Sequence, residues 1–224
     1  CNVTMPDKVE AAKYMDELSP AAQIIGAVNT IVNDDGKLTG YITDGEGFVN
    51  NLKDHGIDIK GRKITVAGGG GAATAIQVQC ALDGAREITI FNKKDDFFER
   101  TLETAEKIRK AVPECVVNVY DIDDVAKMTE EIKSSDIFAN ATIVGMKPLD
   151  DQSVVKDTSA FRPGLVVADA VYNPQETKLL REAKEAGCTC IGGKGMLLWQ
   201  GVAAFKLYTG QDMPVDEVKE LYFK

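Results

Sequence analysis

A hydrophobic strand that runs directly into a row of glycines is the sequence feature that most constrains this fold. The β-rich run 63–67 leads into GGGG at 68–71, and a helical pattern begins at once. Glycine permits a tight turn and lets backbone N–H groups approach linked phosphates, while the helix offers unpaired N–H groups and its positive dipole end. The segment matches G-x-G-x-x-A at Gly68, Gly70 and Ala73. It predicts a dinucleotide pyrophosphate site; a flexible turn that binds nothing is the alternative.

After residue 62 the chain alternates short β-rich runs with amphipathic helical stretches. The predicted strands are 63–67, 87–91, 116–120, 136–140, 165–169 and 188–191, and the predicted helices are 71–83, 95–111, 123–134 and 175–186. Apolar residues recur three and four positions apart in the helical stretches. This alternation builds a parallel sheet covered by helices, so we predict an α/β fold with a doubly wound, Rossmann-type domain over residues 46–194.

Residues 1–45 show a different order of predicted helices and strands. We interpret this segment as the remainder of an α/β catalytic domain truncated at its N-terminus. A helical stretch around 8–18 leads to a strand-like run at 27–32, a turn at 34–36 and a second run at 37–42. The chain opens at Cys1 without an initiator Met. At the other end, residues 195–224 predict two helices, 195–208 and 215–223, that pack back onto the first portion.

Charge and cysteine content argue against several classes of partner. A net charge of −9 without a basic cluster argues against nucleic acid and favours a small polar substrate. No apolar run approaches the roughly 20 residues needed to cross a bilayer, and no signal-like segment opens the chain, so we predict a cytoplasmic protein without membrane contact. One histidine and five scattered cysteines, including the pair Cys188 and Cys190, do not suggest a zinc site, and we predict a metal-free mechanism.

The segment after the second strand of this pattern lies where dinucleotide sites bind the adenosine ribose. It reads Asn92-Lys93-Lys94-Asp95. Asp95 can accept hydrogen bonds from the two ribose hydroxyls of NAD, whereas Lys93 and Lys94 can neutralise the additional phosphate of NADP. We predict that both cofactors bind, with NAD at least as good as NADP. The alternative is a solvated charge cluster in which Asp95 caps the next helix.

Five motifs together resemble the shikimate dehydrogenase family. They are NVTMPDK at 2–8, GAVNT at 26–30, TDG at 43–45, NATIVGM at 140–146 and GMLLWQG at 195–201. The match runs from end to end, and FNKKDDFF at 91–98 more closely resembles the quinate/shikimate dehydrogenase branch, which can use NAD. The resemblance implies an NAD(P)-dependent oxidoreductase that interconverts shikimate and 3-dehydroshikimate, or quinate and 3-dehydroquinate, by hydride transfer. It also implies a homodimer.

The resemblance assigns roles to residues that do not stand out alone. A metal-free dehydrogenase needs a group that takes the hydroxyl proton, and the resemblance implies that Lys8 is this group and Asp44 its partner. A nearby carboxylate favours the charged ammonium and burial favours the neutral amine. The other implied substrate residues are Asn2, Thr4, Asn29, Tyr172 and Gln200. The predicted cofactor residues are Gly68, Gly69, Gly70, Gly71, Ala72, Asn92, Lys93, Lys94, Asp95, Ile143, Ala170, Val171, Tyr172, Asn173 and Gly193.

Four departures from the family pattern bear on activity. Ile42 stands where the family usually has Asn, Asp7 where His or an aromatic residue is common, and Ile143 where this branch can carry a lysine. Nothing here corresponds to the family's upstream segment, whose Ser-x-Ser motif holds the substrate carboxylate. We therefore predict that the chain binds dinucleotide but oxidises shikimate or quinate poorly. The alternatives are a non-catalytic nucleotide-binding module and a dehydrogenase for an altered cyclic acid.

Overall fold

Two β-sheets organise the part of the chain that the structure, a computed structural model, describes: residues 1–95 and 98–223. The strands are β1 (Glu17–Leu18), β2 (Thr30–Asp34), β3 (Lys37–Tyr41), β4 (Lys63–Ala67), β5 (Glu87–Asn92), β6 (Val116–Asp121), β7 (Ile137–Asn140), β8 (Val166–Asp169) and β9 (Thr189–Ile191). The helices are α1 (Lys8–Ala12), α2 (Pro20–Ile25), α3 (Asp44–Asp54), α4 (Gly71–Leu82), α5 (Phe98–Ala111), α6 (Val125–Ser134), α7 (Lys178–Glu185), α8 (Gly193–Thr209) and α9 (Val215–Tyr222).

The larger sheet is parallel throughout and has the strand order β6-β5-β4-β7-β8-β9. The strand order reverses between β4 and β7, and doubly wound folds bind ligands in the crevice outside the carboxyl ends of the strands at such a point. The glycine row follows β4 there. The predicted doubly wound α/β fold is confirmed. The six helices predicted after residue 62 correspond to α4 to α9, although Asp96 and Phe97 in the predicted helix 95–111 lie outside the described residues.

The central strands of the larger sheet, β4, β5, β7 and β8, are buried on both faces. Along β7, Ile137 and Ala139 pack into one hydrophobic cluster and Phe138 packs into another. Parallel strands covered by helices on both sides need such continuous apolar runs, which makes them recognisable in a sequence. The first cluster continues into the N-terminal portion, where it includes the buried side chains of Val28 and Phe48. The two portions of the chain therefore share one core.

The smaller sheet has the order β1-β3-β2 and carries the N-terminal portion of the site. β2 and β3 form an antiparallel hairpin whose turn is Asp35-Gly36. Asp35 and Gly36 have φ values of 50° and 95°, the left-handed conformation that tight hairpin turns require and that Gly and Asp tolerate best. The turn predicted at 34–36 is confirmed.

The helix predicted around 8–18 is wrong in its second half. Helix α1 ends at Ala12, and Glu17 and Leu18 form β1, which pairs in parallel with β3. Pairing with the hairpin therefore overrides the local helical pattern. A new helix, α2, then begins after Ser19, whose hydroxyl accepts a hydrogen bond from the Ala22 N–H at 3.3 Å, and ends at Gly26 with φ 74°.

Helix α3, which the sequence patterns did not predict, connects the two sheets through very close helix contacts. A Cβ atom at Gly47 would lie 2.7 Å from both Gln200 N and Met196 O on α8, so only glycine fits. This packing fixes the start of α3, where Asp44 lies.

The predicted divisions at 45/46 and 194/195 fall inside α3 and in the first turn of α8, and the domain division stays a prediction. Across residues 1–95 and 98–223, no helix has the length and apolar character needed to span a membrane.

Candidate active site

One cavity of about 700 Å³ contains all the predicted substrate residues. Its lining includes Asn2, Thr4, Lys8, Asn29, Asp44, Tyr172 and Gln200. The predicted cofactor residues Gly71, Ala72, Ala170 and Gly193 line the same cavity. Residues that are as far apart in the sequence as Asn2 and Gln200 thus face a common space, which has room for a small cyclic acid and one end of a cofactor.

Lys8 and Asp44 form an ion pair at this cavity. The distance from Lys8 Nζ to Asp44 Oδ2 is 2.7 Å, and the two side chains are 24% and 19% exposed. Each residue begins a helix, α1 for Lys8 and α3 for Asp44. The positive end of the α3 dipole stabilises a carboxylate in its first turn. The ammonium group is therefore held close to a fixed anion and still faces the cavity.

Asn29 holds the Asp44 carboxylate in place, and Thr43 in turn holds Asn29. Asn29 Nδ2 donates to Asp44 Oδ1 at 3.0 Å and to Thr43 Oγ1 at 3.1 Å, while Asn29 Oδ1 accepts from the Thr43 N–H at 2.9 Å. Asn29 and Thr43 are both buried, so these bonds are shielded from water. Thr43 was not among the predicted site residues, although it belongs to the TDG motif that carries Asp44.

Asn2 and Gln200 also line the cavity, and other parts of the chain hold their side chains by hydrogen bonds. Asn2 Nδ2 donates to Asn29 O and to Thr30 Oγ1, each at 3.2 Å. Gln200 lies on α8, where its Nε2 donates to Leu197 O at 3.1 Å. The sequence patterns missed the apolar part of the lining, which includes Met196, Phe205 and Tyr208.

Tyr208 adds a titratable group to that lining. Partial burial raises the pKa of its phenol, and a hydrogen bond with Thr30 acts in the opposite direction.

The glycine row leaves the beginning of α4 open. Gly68 has φ 122°, and a Cβ atom there would lie 2.7 Å from Ala141 O, so glycine is required at this turn. At Gly70 and Gly71, in contrast, a Cβ atom would meet nothing within 4 Å. The N-cap of α4, Gly70, provides no side-chain cap, so the first N–H groups of the helix remain available to an anion. The residues present therefore fit a bound pyrophosphate.

A second cavity, of about 620 Å³, is also lined by residues of the glycine row. The predicted cofactor residues on its lining are Gly69, Gly70, Gly71, Asn92 and Asp95. Arg100, Glu103 and Lys107 line it from α5 and were not predicted, although their spacing places them on one face of a helix. Gly71 lines both cavities.

The rest of the predicted cofactor residues lie outside the lining of both cavities. They are Gly68, Lys93, Lys94, Ile143, Val171 and Asn173. Lys93 and Lys94 are exposed, and Lys94 Nζ lies 5.8 Å from the centre of the Phe98 ring. Ile143 is also exposed, whereas Val171 is buried. The roles assigned to all these residues stay predictions.

Comparisons with known proteins match both ends and nearly the full length of the chain. The model of the shikimate dehydrogenase substrate binding domain matches residues 1–31, and that of the shikimate 5'-dehydrogenase C-terminal domain matches residues 193–221. A shikimate dehydrogenase (NADP(+)) of Listeria monocytogenes is 51% identical over 222 residues, covering 99% of this chain and 76% of the relative.

Solved structures agree with these matches. Shikimate 5-dehydrogenase from Listeria monocytogenes, in complex with shikimate and NAD, has a TM-score of 0.96 and 51% identity over 98% of this chain and 76% of that one. Quinate dehydrogenase from Corynebacterium glutamicum, in complex with NAD, has a TM-score of 0.87 and 30% identity over 99% of this chain and 76% of that one. The resemblance inferred from the five motifs is confirmed: the chain belongs to the shikimate dehydrogenase family.

Proposed function

We propose that this chain interconverts shikimate and 3-dehydroshikimate with NAD or NADP, by hydride transfer at ring C3, and that quinate is a second substrate. The observation that carries the proposal is the Lys8–Asp44 pair, 2.7 Å apart, in a cavity that reaches the first residues of α4. The relatives support it, since one is named for shikimate and NADP(+), and solved structures contain shikimate with NAD, or NAD in a quinate dehydrogenase.

Lys8 performs the proton transfer in this proposal. In the oxidation direction its neutral amine takes the proton of the C3 hydroxyl, and in the reduction direction its ammonium returns that proton to the oxygen. Asp44 orients Lys8 Nζ through the ion pair, and its carboxylate also accepts a hydrogen bond from a substrate hydroxyl. Asn29 and Thr43 keep Asp44 in this position, so that little reorganisation accompanies the reaction.

The dinucleotide, when bound, accepts or supplies the hydride. The backbone N–H groups at the start of α4 hold its pyrophosphate, because they lack a side-chain cap and no side chain blocks Gly70 or Gly71. Asn92 and Asp95 line the second cavity and bind the adenosine ribose. Ala170, Tyr172 and Gly193 line the first cavity together with Lys8 and would hold the reacting end of the dinucleotide there.

Steady-state kinetics with shikimate and quinate, each paired with NAD and NADP, test the proposal on this chain. We expect turnover with both cofactors and a kcat/KM with NAD at least equal to that with NADP. The reason is that Asp95 lines the second cavity, where its carboxylate can accept from the ribose hydroxyls of NAD. Lys93 and Lys94 lie outside this cavity, but Arg100 and Lys107 line it and can neutralise the additional phosphate of NADP. Strict NADP dependence would contradict the expected preference, and absence of turnover with all four pairs would contradict the proposed reaction.

A purely nucleotide-binding role is not favoured, because the named relatives that match 99% of the chain are dehydrogenases. Calorimetric titration with NAD and then with shikimate separates the two interpretations. Binding of both ligands supports an enzyme, and binding of NAD alone supports a nucleotide-binding module.

We also propose a cytoplasmic location, which the free thiols of all five cysteines support, because disulfides are rare in that compartment. The homodimer rests on the resemblance, and light scattering coupled to size-exclusion chromatography tests it.

A further inference from the structure

Asp169 is a buried carboxylate next to the proposed site that has no role in the reaction described above. It ends β8 and is 2% exposed. Its Oδ1 accepts hydrogen bonds from Asn140 Nδ2 and from the Val171 N–H, each at 3.0 Å, and its Oδ2 accepts from Thr177 Oγ1 at 2.6 Å. All three partners are donors, which is the set that an ionised carboxylate needs.

Burial of the ionised Asp169 carboxylate costs free energy of folding, because the charge loses its contact with water. Desolvation raises the pKa of Asp169, and the hydrogen bonds from Thr177, Val171 and Asn140 oppose that effect. Within residues 1–95 and 98–223, Asp169 forms no salt bridge that would compensate for the buried charge. A buried carboxylate without a countercharge costs free energy, and its three hydrogen bonds offset this cost only while the three donors stay in position.

The carboxylate joins three segments at the carboxyl edge of the larger sheet. The first is the turn after β8, held through the Val171 N–H. The second is α7, whose N-cap Thr177 accepts from the Leu180 N–H at 3.3 Å. The third is the loop after β7, because Asn140 Nδ2 also donates to Val144 O at 3.0 Å.

The turn after β8 forms part of the wall of the 700 Å³ cavity. Ala170 and Tyr172 line this cavity, whereas Asp169 does not. The turn also packs against the first residue of α8, since a Cβ atom on Gly193 would lie 2.5 Å from Ala170 O and 2.6 Å from Val171 O. A shift of the turn would therefore alter the wall that we assign to the reacting end of the cofactor.

We propose that Asp169 is a positioning residue, which sets the turn 170–172 against Gly193 and so fixes the cofactor-side wall of the cavity opposite Lys8. This inference rests on the proposed function. A misplacement of about 1 Å between reacting groups can cost about 100-fold in rate. The substrate contacts on the other side of the cavity, Lys8, Asp44 and Asn29, do not depend on Asp169.

Four variants test this role. Asp169→Asn removes the charge at constant size, and Thr177→Val removes the hydroxyl donor at nearly constant shape. Thr177→Ser restores that hydroxyl and is the conservative rescue. Asp124→Ala is the matched structural control, because Asp124 caps α6 by accepting from the Lys127 N–H at 2.9 Å and lines neither cavity.

We expect Asp169→Asn and Thr177→Val to lower kcat by about 10- to 100-fold, with the KM for shikimate changed by less than about threefold. Thr177→Ser and Asp124→Ala should stay within about twofold of the wild type in both parameters. Hydrogen–deuterium exchange should show faster exchange of amides 170–177 in Asp169→Asn and Thr177→Val, and no change there in Thr177→Ser or Asp124→Ala.

Three outcomes would overturn the inference. In the first, folded Asp169→Asn and Thr177→Val keep the wild-type kcat or the wild-type exchange at 170–177. In the second, Asp124→Ala loses as much activity as Thr177→Val, which indicates a general effect of losing a helix cap. In the third, Thr177→Ser fails to rescue. If the wild type itself shows no turnover, the proposed function fails, and the exchange experiment alone then decides whether Asp169 holds the turn.

Discussion

Replacing Lys8 with Ala should lower kcat for shikimate oxidation by about 10²- to 10⁴-fold, the range that general acid–base groups contribute. The variant loses the amine that takes the hydroxyl proton, and the Asp44 carboxylate that remains at the cavity cannot replace it, because a carboxylate is a much weaker base than an amine. Dinucleotide affinity should stay close to that of the wild type, because Lys8 pairs with Asp44 and the proposed pyrophosphate site consists of backbone N–H groups at the start of α4. Steady-state kinetics and calorimetric titration with NAD measure the two effects.

Lys13→Ala is the matched control for this substitution. Lys13 lies one turn beyond Lys8, is 64% exposed and pairs with Glu10 at 2.6 Å. Exposed pairs of this kind contribute about 0–1 kcal/mol, so we expect wild-type kinetics and a nearly unchanged melting temperature. If Lys8→Ala turned over at the wild-type rate, Lys8 would have no part in the mechanism.

Gly193→Ala should lower kcat/KM by about 100-fold, because the new methyl group collides with the backbone. Its Cβ would lie 2.5 Å from Ala170 O and 2.6 Å from Val171 O, and neither carbonyl can move without the turn that lines the cavity. Either this turn or the first turn of α8 must shift. Overpacking of this kind also costs about 1–3 kcal/mol of stability, which thermal unfolding measures.

The neighbouring substitution Gly192→Ala separates collision from any general effect of alanine at this helix start. At Gly192, φ is −86°, and a Cβ atom would have its nearest contact at 3.5 Å from Gln175 O, an ordinary packing distance. We expect near wild-type activity for this variant. Equal losses in both variants would show that the helix start, rather than its contact with the turn after β8, is sensitive.

The larger sheet could be predicted from the sequence because its physical requirements are local. A parallel strand buried on both faces needs a largely apolar run, and β4 has Ile64, Val66 and Ala67, all fully buried, with only Thr65 between them. The following glycines and helix complete a pattern that few other structures share.

The first 62 residues were harder to predict because their structure depends on distant partners. Glu17 and Leu18 continue a helical pattern but pair with β3 instead. The sequence did contain a signal for α2, since Ser19-Pro20 is a strong helix start. Helix α3 contains Gly45 and Gly47, which weaken a helix locally and are needed only because α4 and α8 approach so closely.

In the proposed site, too, some residues could be predicted from the sequence and others could not. Motif resemblance selected the seven polar substrate residues, and the fold gathers them on one cavity. Thr43 and Asp169 were not singled out, because their importance comes from hydrogen bonds to residues that folding brings close, such as Asn29 and Asn140. Lys93 and Lys94 were selected by charge alone, and charge does not tell which lysine side chains face a cavity.

Gly71 bears on the affinity for dinucleotide. It lines both cavities, and as a glycine it has no side chain that would separate them. A dinucleotide that occupies both cavities, as we propose, would pass Gly71 and bind as a bivalent ligand. Once one half is seated, the tether confers on the other half an effective concentration that reaches about the millimolar range for short linkers. Two separate mononucleotides would lack this advantage, so their individual affinities should fall well below that of the joined molecule.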